Sequence, residues 1–386
     1  MHRREAPRPA GILYFSSLAE LGHGGQESLL QLIRHLDPVL YRPVAVVSRE
    51  GSLSRRLREL AVTVEVLPLP RIRPAAIGRM CGCLQTLRRI VARERIAILH
   101  SDGPRNTVYA GLLGRWTGRP VVWHARSSEH DPFDRLLARL SSRIILVADA
   151  LAPRFPAARD RGKAITIHNG VDTRCFAPSA APAERGAFGL APSDLVVTVT
   201  GKVEPLKGQH LLIEAVGALG ERFPVLRALF AGEVVDEAYH RRCLRRAEAL
   251  GVADRVRFLG HREDVAGLLR ASDISASTSL REAFSRAIIE AMASGLPVVA
   301  ADAGGAREAI IEGETGFVVP PDNPAALGRK LALLAASAEL RGRLGRAARQ
   351  RALECFDIRD NVARTCAVYE NLHPAAASSH RRIAAS

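Results

Sequence analysis

Short apolar, β-branched runs alternate along this chain with longer stretches whose apolar positions recur every three to four residues. That alternation is the pattern of βαβ units feeding a parallel sheet. In the first half the runs predict strands at Ile12–Phe15, Pro43–Val47, Val62–Leu67, Ile96–His100, Pro120–His124, Ile144–Val147 and Ala164–His168. Helical periodicity fills Gln26–Leu36, Leu53–Glu59, Ile77–Arg93, Thr107–Arg115 and Phe133–Leu140, each amphipathic enough to cover a sheet face. A second series predicts strands at Leu195–Thr200, Leu226–Ala231, Val256–Leu259, Ile274–Ser277, Pro297–Ala300 and Gly316–Val319. Helices are predicted near 208–222, 237–250, 263–271, 285–294, 305–312 and 324–336, and 340–372 reads as one further helical stretch.

Between the two series, Phe176 to Gly186 is rich in Ala and Pro and reads as a linker. The expected organisation is an N-terminal Rossmann-like domain over 1–175, a linker over 176–186, and a C-terminal Rossmann-like domain with its last helix over 187–372. A small, polar tail over 373–386 is expected to be disordered. The fold class is α/β, two doubly wound parallel-sheet domains in tandem. Ligands are expected at the carboxyl ends of the strands and in the cleft between the domains.

Composition narrows the class. Of 386 residues, 47% are hydrophobic and 25% charged, which excludes collagen-like, disordered and disulfide-stapled chains. The six Cys are scattered except for Cys81 and Cys83, and no second pair completes a zinc site, so they read as reduced core residues. No apolar run approaches the roughly 18–20 residues of a membrane-spanning helix. Gly11 to Ser17 is too short and strand-like for a signal peptide, so a cytoplasmic protein is expected.

Charge is the unusual feature. The formal net charge is +15, and residues 1–180 carry 28 basic against 15 acidic side chains, whereas residues 181–386 carry 27 against 25. A basic half suits nucleic acid, an anionic membrane or anionic substrates. No nucleic-acid-binding motif is present, and with aromatics at 5% stacking platforms for bases are scarce, so no nucleic-acid partner is expected. A solvated, Arg-rich surface remains the plain alternative to membrane attraction, and four Lys against 51 Arg favour a compositional bias.

Four segments carry candidate chemistry, each with a bland alternative. Gly22-His23-Gly24-Gly25 follows the first strand, where glycines let backbone N–H groups approach a phosphate at a helix start, yet it lacks dinucleotide-binding spacing and equally suits a tight turn. Thr200 to Gly208 places Lys202 and Lys207 past the first strand of the second series, where both can converge on an anion. It is not a Walker loop. Glu282 to Glu290 runs from a loop into a helix, placing the two carboxylates up to roughly 12 Å apart along the axis, with free N–H groups near Phe284 to Arg286. An amphipathic helix with solvated carboxylates is the alternative. His124, at the end of a first-domain strand, is either structural or functional.

Together these segments resemble the family-4 retaining glycosyltransferases, which have the GT-B architecture of two facing Rossmann-like domains. The resemblance runs from Gly24 to about Leu372. Its most specific part is Glu282-x7-Glu290, continuing through Ala291 to Pro297, with support from Asn169-Gly170-Val171-Asp172, Phe230-Ala231-Gly232, Phe258 to Arg262 and Gly313 to Phe317.

The resemblance implies that Glu282 contacts the donor sugar and Glu290 the ribose hydroxyls, while Lys202 and Lys207 hold the diphosphate and stabilise charge on the departing nucleotide. Lys202 stands where the family usually has Arg, keeping the charge but losing the bidentate fork. By the same resemblance Gly24 and Gly25 lie near the diphosphate, His124 near the donor sugar and Arg262 beside the nucleobase. Backbone amides of Ala283, Phe284 and Ser285 would hold sugar or phosphate oxygens, with Ala283 and Ser285 standing where Gly is common. Asp264, near the base, could accept from a guanine amino group or cap the following helix.

The implied activity is sugar transfer, with retention, from a nucleotide-diphosphate sugar to a glycan or lipid-linked acceptor. No cofactor and no metal are implied, and no D-x-D motif occurs. The basic first domain would supply the acceptor surface and meet an anionic membrane from the cytoplasmic side, through clusters at Arg55 to Arg58, Arg71 to Arg73, Arg79 and Arg88 to Arg95. Competing readings are a nucleotide-sugar epimerase or hydrolase of the same architecture and a non-catalytic scaffold.

Overall fold

The computed structural model describes residues 9–16, 18–22, 24–179 and 185–374. Ser17, His23, part of the expected linker (180–184) and the tail from 375 onward lie outside the described residues. The chain divides into two compact units, one formed by the residues up to His168 together with those from Arg359 onward, the other by Asn169–Ile358.

The first unit is built on a seven-stranded parallel sheet: β1 (Ala10–Ser16), β2 (Tyr41–Val47), β3 (Thr63–Val66), β4 (Ile96–Ser101), β5 (Val121–Ala125), β6 (Arg143–Leu146) and β7 (Ala164–Thr166). Their order is β3-β2-β1-β4-β5-β6-β7. The second unit has six strands: β8 (Leu195–Thr200), β9 (Leu226–Ala231), β10 (Val256–Phe258), β11 (Ile274–Ser277), β12 (Val298–Ala301) and β13 (Gly316–Val319), ordered β10-β9-β8-β11-β12-β13. Every pairing is parallel. The central strands are buried at all but a terminal position, which explains why they read as unbroken apolar runs rather than alternating ones.

Each sheet has one place where the strand order reverses, between β1 and β4 in the first unit and between β8 and β11 in the second. Val197 and Thr198 of β8 pair there with Ile274 and Ser275 of β11. Loops leaving the two strands at such a point turn to opposite sides and leave a crevice at the carboxyl ends. The core of the second unit forms around Val197, Val199, Phe230, Ile274 and Leu331, and that of the first around Leu13, Phe15, Leu99, Tyr109 and Leu113.

The structure redraws two boundaries. The stretch expected as one helix over 340–372 is two, Ala338–Cys355 and Ile358–Leu372. At the break, the Phe356 carbonyl accepts from the Val171 N–H at 2.8 Å, and the Ile358 N–H donates to the Val171 carbonyl at 2.9 Å. The second of these helices packs with the first unit, not with the C-terminal domain to which the sequence assigned it. Its Tyr369 is fully buried, and the hydroxyl bonds to Tyr14 and His100. The boundary near 175 also moves, because Asn169 and Val171 are tied to Phe284 and Phe356 of the second unit.

Candidate functional site

In the second unit the loops leaving β8 and β11 are stitched together. The Thr278 hydroxyl donates to the Lys207 carbonyl at 2.7 Å, and the Leu280 N–H to the Leu206 carbonyl at 2.8 Å. The β8 loop ends at Gly208, whose φ of 63° is left-handed and whose missing Cβ leaves room for the Thr278 carbonyl to approach. From there the helix Gln209–Leu219 begins, and the Gln209 side chain donates to the Lys202 carbonyl at 2.7 Å.

This stitching brings Lys207 and Glu282 together. Nζ of Lys207 donates to Oε2 of Glu282 at 2.6 Å, and the Ser279 hydroxyl lies 3.5 Å from the same oxygen. Both side chains remain about one-quarter exposed, at 26% and 22%, so the pair is held in place yet open to a ligand. Burial draws the Lys202 ammonium below the usual lysine range, and Glu233 and Glu204 act in the opposite sense.

The loop from Glu282 to Ser285 is clamped from three sides. The Gly305 N–H donates to the Ala283 carbonyl at 2.8 Å, and Nδ2 of Asn169 to the Phe284 carbonyl at 3.1 Å. Gly304, at φ 55°, presses so close beneath the loop that a Cβ would overlap the Glu282 carbonyl oxygen. The Phe284 ring, buried, meets Phe356 at 5.6 Å. Ser285 then starts the helix Arg286–Ala293 in an extended conformation, with no cap from its own side chain.

Glu290 sits on this helix, where its Oε1 accepts from Nη2 of Arg286 at 2.8 Å, with both side chains 13% exposed. The sequence reading gave Glu290 no protein partner. The i, i+4 spacing alone pointed to Arg286, which also reaches the Gly170 carbonyl at 3.3 Å. Arg262 is exposed and stacks its guanidinium over Phe188 at 5.4 Å. Asp264 serves as a helix cap, its carboxylate accepting from the Gly267 N–H at 2.6 Å at the head of Val265–Arg270.

In the first unit Gly24 and Gly25 form the opening turn of the helix Gly24–Arg34, two residues earlier than the periodicity predicts. Gln26 fastens that turn to the switch point, donating to the Ser16 hydroxyl at the end of β1 at 3.2 Å and to Asp102 just beyond β4 at 3.4 Å. Gly25 lies against Arg126, since a Cβ there would stand 3.5 Å from its Cδ. His124, near the end of β5, is buried. Its Nδ1 lies 3.1 Å from Nη2 of Arg126 and 3.2 Å from Nε2 of His100.

Burial, aided by the Arg126 charge, draws His100 down to about 3 and His124 well below the usual imidazole range. Near the same end of the sheet is a cavity of about 320 Å³ lined by Ser16, Ser48, Arg105, Asn106 and Asp131 together with Val46 and Leu67, which no motif announced. The predicted site residues therefore form two groups. Lys202, Lys207, Arg262, Ala283 to Ser285 and Glu290 share the second unit with Glu282, while Gly24, Gly25 and His124 belong to the first. Among the described residues no three His, Cys, Asp or Glu side chains gather as metal ligands would, and no helix is long and apolar enough to cross a membrane.

Two parallel α/β units, each with polar residues at its switch point, give an α/β architecture of GT-B type, and comparison with known proteins agrees. The family models for glycosyltransferase family 4 and for glycosyl transferases group 1 match residues 22–174 and 181–351. The chain belongs to the family-4 glycosyltransferases of GT-B type. It is 34% identical to EpsD of Bacillus subtilis (strain 168) over 294 residues, which cover 71% of this chain and 76% of that protein. It is 36% identical to a D-inositol 3-phosphate glycosyltransferase of Streptomyces avermitilis over 259 residues, 64% of this chain. The chain spans about half the length of that relative, 53%. Among solved structures, Anabaena Alr3699/HepE in complex with UDP and glucose aligns with a TM-score of 0.79 at 25% identity, covering 92% of this chain and 99% of that one. A glycosyltransferase from Rickettsia africae aligns at 0.85 and 20% identity over 94% of this chain and 98% of its own.

Proposed function

We propose that this protein transfers a sugar from a nucleotide-diphosphate sugar to a hydroxyl of a glycan or lipid-linked acceptor, with retention of anomeric configuration and without a metal, in the assembly of a cell-surface polysaccharide or glycolipid. The observation that carries the reading is the Lys207–Glu282 pair at the second unit's switch point, 2.6 Å apart and held by loops stitched to each other. A diphosphate there would compete with Glu282 for the Lys207 ammonium and release the carboxylate toward the sugar. Lys202 and the N–H groups at the start of Arg286–Ala293 would share the charge that grows on the leaving phosphate. Glu290, aimed by Arg286, would accept from the ribose hydroxyls, and the backbone at Arg262 would lie beside the base. The UDP and glucose bound in the Anabaena relative support a donor of this class.

The first unit would bind the acceptor and rest against an anionic membrane at the cytoplasmic face. Structure sorts its basic clusters: Arg56 and Arg58 are paired with Glu59 and Glu50, and Arg93 with Glu65 and Glu94. Arg71, Arg73 and Arg79 have no ion pair among the described residues, and they stand beside exposed Ile72 and Ile77. We assign the membrane-facing role to this segment, where basic charge and apolar side chains act together.

The test is calorimetry of the full chain against uridine, guanosine and adenosine diphosphate sugars in the presence of a chelator. One donor is expected to bind, and Lys207→Ala to weaken it by about 1.5–3 kcal/mol, roughly ten- to a hundredfold, as for a hydrogen bond to a charged group. Binding of none refutes the donor assignment. With a donor in hand, product analysis separates the reactions, because an epimerase converts donor alone without freeing nucleotide and a hydrolase frees sugar without an acceptor.

A further inference from the structure

We propose that Arg126, His100 and Tyr369 are positioning residues that hold His124 as an uncharged ring with its proton on Nε2, so that the site offers the sugar substrate an N–H donor of fixed direction. The inference rests on the glycosyl-transfer reading for the substrate, but the proton placement follows from the hydrogen bonds alone.

Four side chains form a buried line within the first unit. The Tyr14 hydroxyl lies 3.1 Å from that of Tyr369, the Tyr369 hydroxyl 2.6 Å from Nδ1 of His100, and Nε2 of His100 3.2 Å from Nδ1 of His124. Each bond in such a line is ambiguous by itself, since a hydroxyl or a neutral imidazole can give or take. Arg126 removes the ambiguity. A guanidinium only donates, so its Nη2, 3.1 Å from Nδ1 of His124, requires a lone pair on that nitrogen.

The rest follows in order. Nε2 of His100, facing the same lone pair, must carry its own proton, for two lone pairs at 3.2 Å would repel. Nδ1 of His100 is then an acceptor of the Tyr369 O–H, and the Tyr369 oxygen accepts from the Tyr14 O–H. With Nδ1 bare, the neutral His124 ring carries its hydrogen on Nε2. That atom is buried and has no hydrogen-bond partner among the described residues. A buried N–H without a partner is destabilising, and an incoming oxygen would satisfy it.

The opposite direction fails at both ends. It would turn a Nδ1–H of His124 against the guanidinium and leave the Tyr14 hydroxyl, which is fully buried, without an acceptor in the line. Burial beside Arg126 also disfavours a second proton on either ring, so the line transmits orientation and not charge. His124 thus acts as a hydrogen-bond donor to a sugar oxygen, not as a cation or a general base.

The experiment is nitrogen NMR of the full chain labelled in its histidines, near neutral pH and without substrate. The signals of His124 and His100, assigned by loss in His124→Gln and His100→Gln, are expected to show a protonated Nε2 and a bare Nδ1. A proton on Nδ1 of His124, or an imidazolium, overturns the proposal whether or not the enzyme transfers sugar. For the catalytic consequence, Arg126→Met, which removes the donor that faces Nδ1, is expected to mix the His124 tautomers and lower kcat about tenfold with the donor KM within about twofold, as for a contact made chiefly in the transition state. His124→Gln, which can place an amide N–H near Nε2, is expected to keep at least tenfold more kcat than His124→Ala. Equal loss in both, unmixed His124 tautomers in Arg126→Met, or an unchanged kcat in that variant with its tautomers mixed, would also overturn it. Absence of any transfer by the unaltered protein would remove the substrate reading alone, since the tautomers are read without it.

Discussion

Replacing Gly304 by Ala tests whether the loop bearing Glu282 is held from beneath. The added methyl would overlap the Glu282 carbonyl oxygen and stand 2.6 Å from that of Ala283, on a backbone with φ 55°. Two costs combine: about 1–2 kcal/mol for an L residue in the left-handed region, and about 1–3 kcal/mol for forcing an occupied space. A stiffer unfolded chain offsets about 0.4–1 kcal/mol. Gly251→Ala separates these contributions, because Gly251 lies in the same unit at φ 67° with nothing within 4 Å of the would-be Cβ. The difference between the two variants is then the overlap alone, about 1–3 kcal/mol, or about 2–12 °C in Tm for a unit of this size. Thermal unfolding measures it. In calorimetry the donor affinity should fall at least tenfold in Gly304→Ala, because the backbone of Glu282 and Ala283 must move aside, and stay unchanged in Gly251→Ala. If both variants melt within about 1 °C of each other and bind donor alike, the loop is not clamped by Gly304 and the account of how Glu282 is positioned is wrong.

Two further outcomes are expected. Asp264→Asn, which keeps an acceptor at the helix start, should leave stability and donor preference unchanged, whereas Asp264→Ala should cost about 1 kcal/mol of stability by urea titration; a switch of nucleobase preference in Asp264→Asn would show that the carboxylate reads the base instead. Stability should also fall on mild acidification. His100 is held down to about 3 against an ordinary 6.5, so the unfolded chain takes up a proton that the native state refuses. The contribution is complete above pH 6.5 and is lost as pH falls toward 3, at up to about 1.4 kcal/mol per pH unit. Urea titrations between about pH 6.5 and 5 should show this slope reduced by about one proton in His100→Gln, and an unchanged slope would mean that His100 is not buried neutral.

All thirteen strands were legible, the central ones because parallel strands covered on both faces are continuous apolar runs, such as Ile12–Phe15 and Leu195–Thr200. The last helix was not. Its periodicity shows one apolar face but not which sheet that face meets, and only the buried Tyr369 hydroxyl places it with the first unit. In the site, Lys202, Lys207 and Glu282 could be found because charged residues just past strand ends at a switch point have few other reasons to be there. Gly304 and Thr278 were invisible, since they act through backbone contacts between segments far apart in sequence. His100 escaped notice because a histidine in an apolar strand looks like core, and its partner lies 269 residues away.

The return of the last helix makes the second unit an insertion within the first. During synthesis the ribosome therefore completes Asn169–Ile358 before it releases the segment bearing Tyr369. A nascent chain can fold the inserted unit, with its lysines and Glu282, while the sheet that carries His124 still lacks its closing helix. The hydrogen-bond line behind that histidine would close only after the inserted unit has been made. A chain cut short before Tyr369 would retain the groups assigned to the donor, yet the line behind its His124 would lack its Tyr369 member.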